Sequence, residues 1–182
     1  MKRLIKNKIR NIKHWPRIGI VFKDIMPALK DAKTLKRIIG MMYDECFKSD
    51  SVLECDYVVG IESRGFILGP PVALKIDCGF IPVRKKNKLP TNFEAPVVTK
   101  RYTTEYSTPT LEMHDDDLSG KKIIIIDDLI ATGGSMKATI NLVEKLGGEI
   151  FKIVALVDLK FLGGSDELKK MGYDVSSIIK YR

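Results

Sequence analysis

Residues 122–135 read Lys-Ile-Ile-Ile-Ile-Asp-Asp-Leu-Ile-Ala-Thr-Gly-Gly-Ser, and a helix-forming stretch then runs from Met136 to Leu146 before Gly147-Gly148. The four isoleucines show no apolar/polar alternation, so they predict a strand buried on both faces, as in the middle of a parallel α/β sheet. Asp127 and Asp128 are expected where that strand ends. Glycines let the backbone approach a ligand closely, and a helix N-terminus adds free N–H donors and a positive dipole end. The turn Ala131, Thr132, Gly133, Gly134, Ser135 is therefore predicted to hold a phosphate, because ligands of such sheets bind beyond the carboxyl ends of the strands. The two acids, one turn upstream, would repel that anion. They call for hydroxyls, a hydrated Mg²⁺ or a developing cation, and a phosphate near a diol is a ribose 5-phosphate. Neither G-x-x-x-x-G-K-[ST] nor G-x-G-x-x-G occurs, so two common phosphate motifs are excluded. Bare surface acids on a plain turn are the poorer reading, since adjacent acids at the end of an apolar strand are costly without partners.

The run IIIIDDLIATGGS resembles the phosphoribosyl pyrophosphate (PRPP) motif of the type I phosphoribosyltransferases, and DDLIATGGS is most similar to the adenine-using members. That family usually ends the motif in Thr. Here Ser135 keeps the hydroxyl.

Working outward, the chain has 182 residues, 30% charged and 45% hydrophobic, which suits one domain with one substantial core. No apolar run approaches the roughly 20 residues of a membrane span, and the N-terminus lacks a signal-peptide pattern, so a cytoplasmic protein with no membrane partner is expected. Cys46, Cys55 and Cys78 form no CxxC pair, which argues against a disulfide framework or a zinc site. Only His14 and His114 are present, so a His-rich metal site is out. Residues 1–17 carry seven basic residues and no acid, so almost all of the net charge of +8 sits there. Ile5, Ile9 and Ile12 fall on one helical stripe, which predicts a short amphipathic helix packed on the domain. A nucleic-acid arm would need interleaved aromatics, and only Trp15 offers one, so no nucleic-acid partner is expected.

Three further segments extend the resemblance, in the family's order. Trp15 to Ile25 reads alone as a turn and an edge strand. It resembles P-G-I-x-F-[RK]-D-I, the purine loop of the adenine phosphoribosyltransferases. The resemblance implies that the Val21 backbone reads the adenine edge, Phe22 packs near the ring and Lys23 stands beside it. Tyr57–Ile61 is a second buried strand leading to Glu62-Ser63-Arg64-Gly65 and a helix over 66–75 broken by Pro70-Pro71. Arginine in such a turn suits a pyrophosphate, and the family's E-S-R-G loop implies a cis peptide before Ser63. Gly79–Val83 is a third strand, followed by Arg84-Lys85-Lys86-Asn87-Lys88-Leu89-Pro90. By resemblance, Arg84 and Lys88 reach the leaving pyrophosphate, and residues of about 85–108 form a flexible lid. Tyr102–Tyr106 alternates like a strand. It resembles the family's L-E-Y-G, which implies Glu105 as manager of the purine proton and Tyr106 near the ribose or pyrophosphate, with Thr104 and Ser107 departing from the pattern.

Asp31 is expected to cap a helix over about 32–48, Glu149–Val157 to be a strand with Leu159 near the purine, Gly163-Gly164-Ser165 to cap a short helix, and Val175–Tyr181 to be the last strand. The resemblance implies a type I phosphoribosyltransferase fold over a single domain, 1–182, with a small hood from about 1–30 and 160–182. It implies conversion of adenine and PRPP to AMP and pyrophosphate in purine salvage. Asp127, Asp128, Arg64 and Glu105 would be the catalytic residues, Mg²⁺ would ride on PRPP and water with no direct protein ligand, and the protein would be a homodimer. Two other readings remain open: a phosphoribosyltransferase for another base, and a PRPP-sensing nucleic-acid-binding regulator.

Overall fold

The computed structural model describes residues 1–47, 55–102 and 109–182. In chain order the elements are α1 (Lys2–Lys8), β1 (Arg10–Lys13), β2 (Val21–Asp24), α2 (Met26–Lys30), α3 (Ala32–Cys46), β3 (Tyr57–Ile61), α4 (Gly65–Ile76), β4 (Gly79–Lys85), β5 (Val97–Arg101), β6 (Thr110–His114), β7 (Lys122–Ile130), α5 (Gly134–Lys145), β8 (Glu149–Leu159), α6 (Gly164–Lys170) and β9 (Val175–Tyr181). Seven strands form one sheet in the order β5-β6-β4-β3-β7-β8-β9. The pairs from β4 through β9 are parallel, and β6 pairs antiparallel with both β4 and β5.

The isoleucine run forms the spine of this sheet. Side chains alternate across a strand, so Ile123 and Ile125 enter one core with α5 while Ile124 and Ile126 enter another with α3 and α4. All four are fully buried. Each such burial stabilises the fold by about 1.5–3 kcal/mol, which fixes β7 at the centre. Asp127 and Asp128 do not end the strand. Pairing with the long β8 carries β7 on to Ile130, opposite Asp158.

Two other expectations, the Asp31 cap and the cis peptide before Ser63, were met locally. The Asp31 carboxylate accepts from Thr34 N at 2.8 Å and caps α3. The Glu62–Ser63 peptide is cis. Cys46, Cys55 and Cys78 are free thiols. Among the described residues no helix is long and apolar enough to cross a membrane.

Four expectations changed. The N-terminal helix is shorter than its stripe: Ile5 lies in α1 and Ile9 caps it, but Ile12 belongs to β1. The strand β1 pairs antiparallel with β2, and ladder pairing there replaces another helical turn. Helix α4 runs unbroken through Pro70 and Pro71. Its buried face, Leu68, Gly69, Val72 and Ala73, packs tightly enough to outweigh the missing donors, and a Cβ on Gly69 would come within 2.5 Å of the Phe80 ring. Residues 97–101, expected in the lid, form the edge strand β5 on β6, while Thr104, Glu105, Tyr106 and Ser107 lie outside the described residues. The last strand, assigned to the hood, instead extends the main sheet beside β8. Its Ile178 and Ile179 are buried with α3, so core packing and not the hood holds it. The small β1-β2 sheet is what stands above the sheet's carboxyl end. Arg10 donates to Asp24 Oδ2 at 2.6 and 3.0 Å across it, and Lys6 and Lys23 both lie over the Tyr181 ring at the end of β9.

Candidate active site

The carboxyl ends of β3, β4 and β7 meet the β1-β2 sheet around one cavity of about 930 Å³. Its floor comes from β7. Asp127 and Asp128 are 7% and 4% exposed. Asp127 Oδ1 accepts from Asp128 N at 2.8 Å. Burial, and then the neighbouring Asp128 charge, push the Asp127 carboxyl well above the usual range, with Arg64 opposing them. Asp128 Oδ2 lies 2.6 Å from Arg64 Nε. That is a charge contact without the alignment of a hydrogen bond, so the buried oxygen keeps an unused acceptor position.

Directly after β7, residues 131–135 all border the cavity. Gly133 has φ +83° and precedes α5, a conformation that favours glycine. Free N–H groups of the first helical turn, with no acid in that turn, make this loop an anion cradle.

The turn after β3 repeats the strand, turn and helix plan. A Cβ on Gly65 would lie 2.9 Å from Ile126 O and 3.2 Å from Asp127 Oδ1, so only glycine lets the start of α4 approach the acids. The guanidinium of Arg64 sits between Asp128 and Phe22, 5.0 Å from the Phe22 ring centroid. It therefore joins the anionic floor to the hood. Val21, Phe22, Lys23 and Leu159 also border the cavity. Trp15 packs edge-on against Phe22 at 4.5 Å. The Lys23 ammonium is engaged elsewhere, on Asn11 Oδ1 at 2.8 Å, and burial followed by the Lys6 charge lowers its pKa.

The basic run after β4 is arranged differently from expectation. Neither Arg84 nor Lys88 borders the cavity, whereas Lys85 does. Arg84 donates through Nε to Glu62 Oε2 at 3.2 Å and through Nη1 to Lys88 O at 2.6 Å. These bonds fold the turn back on itself. Neighbouring residues of a strand face opposite sides, so the run's charge did not say which member would reach the cavity. The turn is also anchored from β6. Glu112, 4% exposed, accepts from Lys88 N and Leu89 N, both at 2.9 Å. Burial alone would raise its pKa, but the N–H groups of Leu89, Lys88 and Asn87 hold it below the usual range. Nothing near Glu112 in sequence announced this role, because its partners are more than twenty residues away. Lys85, Trp15, Tyr102 and Phe161 are among the cavity residues that no site assignment included. Lys85 stood inside the quoted basic run, which was the available signal. Glu105 and Tyr106 lie outside the described residues.

Among the described residues no cluster of three or more His, Cys, Asp or Glu is gathered as a metal site. Two adjacent carboxylates with an unused buried acceptor are a donor set that fits a hydrated, phosphate-bound hard cation.

Comparison with known proteins gives the same picture. The family model for the phosphoribosyl transferase domain matches residues 27–180. An adenine phosphoribosyltransferase of Lachnoclostridium phytofermentans is 46% identical over 182 residues, covering 100% of this chain and 98% of that protein. The crystal structure of adenine phosphoribosyltransferase from Thermoanaerobacter pseudethanolicus superposes with a TM-score of 0.90 at 42% identity, over 100% of both chains. The Saccharomyces cerevisiae enzyme, solved with an imino-altritol bisphosphate and adenine, superposes at 0.82 with 32% identity over 97% of both chains. With the central strand, its glycine loop and the arginine turn all in place around one cavity, and with relatives matching from end to end, the chain belongs to the adenine phosphoribosyltransferases of the type I phosphoribosyltransferase family.

Proposed function

We propose that the protein joins adenine to the ribose of PRPP, giving AMP and pyrophosphate, and that the whole chain works as one catalytic domain. The observation that carries this is the convergence on one cavity of an anion cradle, a buried carboxylate pair, an arginine and an aromatic hood strand. These four parts match the 5-phosphate, the ribose diol, the pyrophosphate and the purine.

Each residue then has a task. Residues 131–135 hold the 5-phosphate through backbone N–H groups and the hydroxyls of Thr132 and Ser135. Asp127 and Asp128 accept from the ribose hydroxyls and face the positive charge that grows at C1 as the pyrophosphate bond breaks. Placing fixed negative charge where a cation develops is the most effective electrostatic device an enzyme has. In the ligand-free cavity, burial and the Asp128 charge raise the pKa of Asp127, so a second negative charge on the pair is disfavoured there. Donation from two ribose hydroxyls favours the ionised form, so substrate binding itself prepares the charge. Arg64 turns from Asp128 toward the pyrophosphate, a better partner because it offers several oxygens to a planar donor. Lys85 adds positive charge on the same side. Arg84 and Lys88 are proposed to join it when the turn held by Glu62 and Glu112 opens. Mg²⁺ fits the acids through its waters and, when bound to PRPP, would neutralise the departing pyrophosphate. Val21 offers its backbone to the adenine edge and Phe22 its ring face. A 6-oxo purine would leave those backbone groups unpaired, and such mismatches are strongly rejected. Glu105 is proposed for the purine proton and Tyr106 for the pyrophosphate side, on the resemblance alone. The same ground supports a cytoplasmic homodimer.

The test is direct. Incubation with Mg²⁺, PRPP and adenine should yield AMP and pyrophosphate in equal amounts. Binding of PRPP without formation of AMP would overturn the catalytic reading in favour of a sensor of PRPP.

A further inference from the structure

Beyond β8, Phe161 and Leu162 border the cavity, while Gly164 and Ser165 lie behind the phosphate loop, outside it. Residues 160–162 make one helical turn, Gly163 follows with φ +74°, and α6 begins at Gly164. Two glycines stand together here for different reasons. Gly163 has a left-handed backbone and open space around it, so its backbone explains it. Gly164 is an ordinary helical residue, and its backbone would accept any side chain. Space explains it instead. A Cβ on Gly164 would lie 2.3 Å from Ala131 O, 2.5 Å from Gly133 N and 2.5 Å from Thr132 C. All three are backbone atoms and cannot swing aside. The contact is mutual, because a Cβ on Gly133 would come within 3.3 Å of both Gly164 Cα and Gly164 O.

Two polar links hold the pieces together. Gly164 N donates to Ala131 O at 3.2 Å. One residue on, the hydroxyl of Ser165 donates to Asp158 Oδ2 at 2.7 Å. Asp158 lies opposite Ile130 in the β7-β8 register, so the start of α6 is bolted to the strand that flanks the loop. Ser165 and Asp158 are each 2% exposed, which makes the bond costly to break. Gly164 does not border the cavity. Its contact is with the far side of the loop.

We infer that Gly164 is a positioning residue for the ribose 5-phosphate cradle: it sets how far back residues 131–133 can sit, and the Ser165–Asp158 bond fixes that wall in place. This rests on the proposed reading of the 131–135 loop. An anion cradle built from N–H groups works only if the groups converge on one point, and a displacement of about 1 Å in such a site costs up to about a hundredfold. Nothing in the wall touches the pyrophosphate side of the cavity, so the effect of disturbing it should be confined to ligands that carry the 5-phosphate.

The experiment measures binding of ribose 5-phosphate, and separately of pyrophosphate with Mg²⁺, to the full chain and to its Gly164→Ala and Ser165→Ala variants. PRPP kinetics are recorded alongside. For Gly164→Ala, binding of ribose 5-phosphate should weaken at least about tenfold. Pyrophosphate binding should stay within about twofold, and the KM for PRPP should rise more than kcat falls. Ser165→Ala, which removes one atom and adds no clash, should show the same pattern at smaller size, and it carries the test where Gly164→Ala does not fold. Unchanged ribose 5-phosphate binding in a folded Gly164→Ala variant overturns the inference. Equal loss of both ligands also overturns it, since that is what a merely structural residue gives. A wild-type chain that fails to bind ribose 5-phosphate overturns the proposed function itself and this inference with it.

Discussion

The turns after β7 and after β3 share one plan, a buried parallel strand followed by a short loop and a helix, yet they are built from different materials. The first is made of backbone. Its glycine at 133 has a left-handed φ and rests against a second glycine at 164, so its shape is set before any ligand arrives. The second is made of charge. Arg64 lies on Asp128, and Glu62 reaches across to Arg84 at the end of β4, whose following turn Glu112 holds at Lys88 and Leu89. A backbone cradle suits a group that stays bound through the reaction, as the 5-phosphate does. Side-chain charges, which can exchange one partner for another, suit a group that must leave.

The contrast can be broken most sharply at Arg64. Arg64→Ala is expected to lower kcat/KM for pyrophosphate release by about 10³-fold, the scale for removing a charged donor from a developing anion, while ribose 5-phosphate binding survives. An assay that showed both ligands lost together would mean the two turns are not independent. On the backbone side, Gly133→Ala places a side chain at φ +83° against Gly164. The expected result is a KM for PRPP raised by about tenfold or more, read from initial rates, with pyrophosphate binding unaltered.

Effects on the turn that Glu112 anchors should be smaller. Glu112→Gln is expected to raise the KM for PRPP several-fold and to destabilise the chain by about 1 kcal/mol at pH 7, as for loss of a charge-assisted bond. The folded-state pKa of Glu112 is lowered, so the wild-type contribution is present above the ordinary glutamate value of about 4.3 and is lost as pH falls through the lowered one. Thermal melts of the two proteins should therefore converge in acid. Asp127 gives the opposite sign. Its folded-state pKa is raised, so ionising it destabilises the ligand-free protein as pH climbs above the unfolded value of about 3.9. Asp127→Asn should then melt higher than wild type at pH 7, by roughly 1 kcal/mol of stability, and the gain should vanish below about pH 4. Activity should be lost in the same variant.

This division also decides what could be read from the chain. The strand β7 and its loop are contiguous, and each residue's identity follows from a local need, for burial, for a positive φ or for an N–H. They were legible for that reason, and the resemblance of four short segments to one family supplied the rest of the plan. What depended on distant partners was not legible. Whether Arg84 or Lys85 meets the cavity is settled by Glu62 and by strand alternation. Glu112 looked like any hairpin residue until Lys88 and Leu89 were found on it. Gly164 looked like half of a helix cap, and only the loop more than thirty residues upstream explains it. The last strand has the pattern of any buried strand, and nothing local told the hood from the sheet edge. Pro70 and Pro71 argued for a break that core packing around α4 overrides.

The claim that organises the whole account is that the hood strand selects adenine over a preformed PRPP site. The measurement that bears on it most directly is kcat/KM for pyrophosphate release with Mg²⁺ and saturating PRPP, with adenine, hypoxanthine, guanine and orotate offered one at a time. The account predicts turnover with adenine, and rates with the three oxo bases lower by about 10⁴-fold, the discrimination expected when a site's polar groups are left unpaired. Comparable turnover with hypoxanthine or guanine would contradict it, leaving the PRPP site standing and removing the role given to Val21 and Phe22.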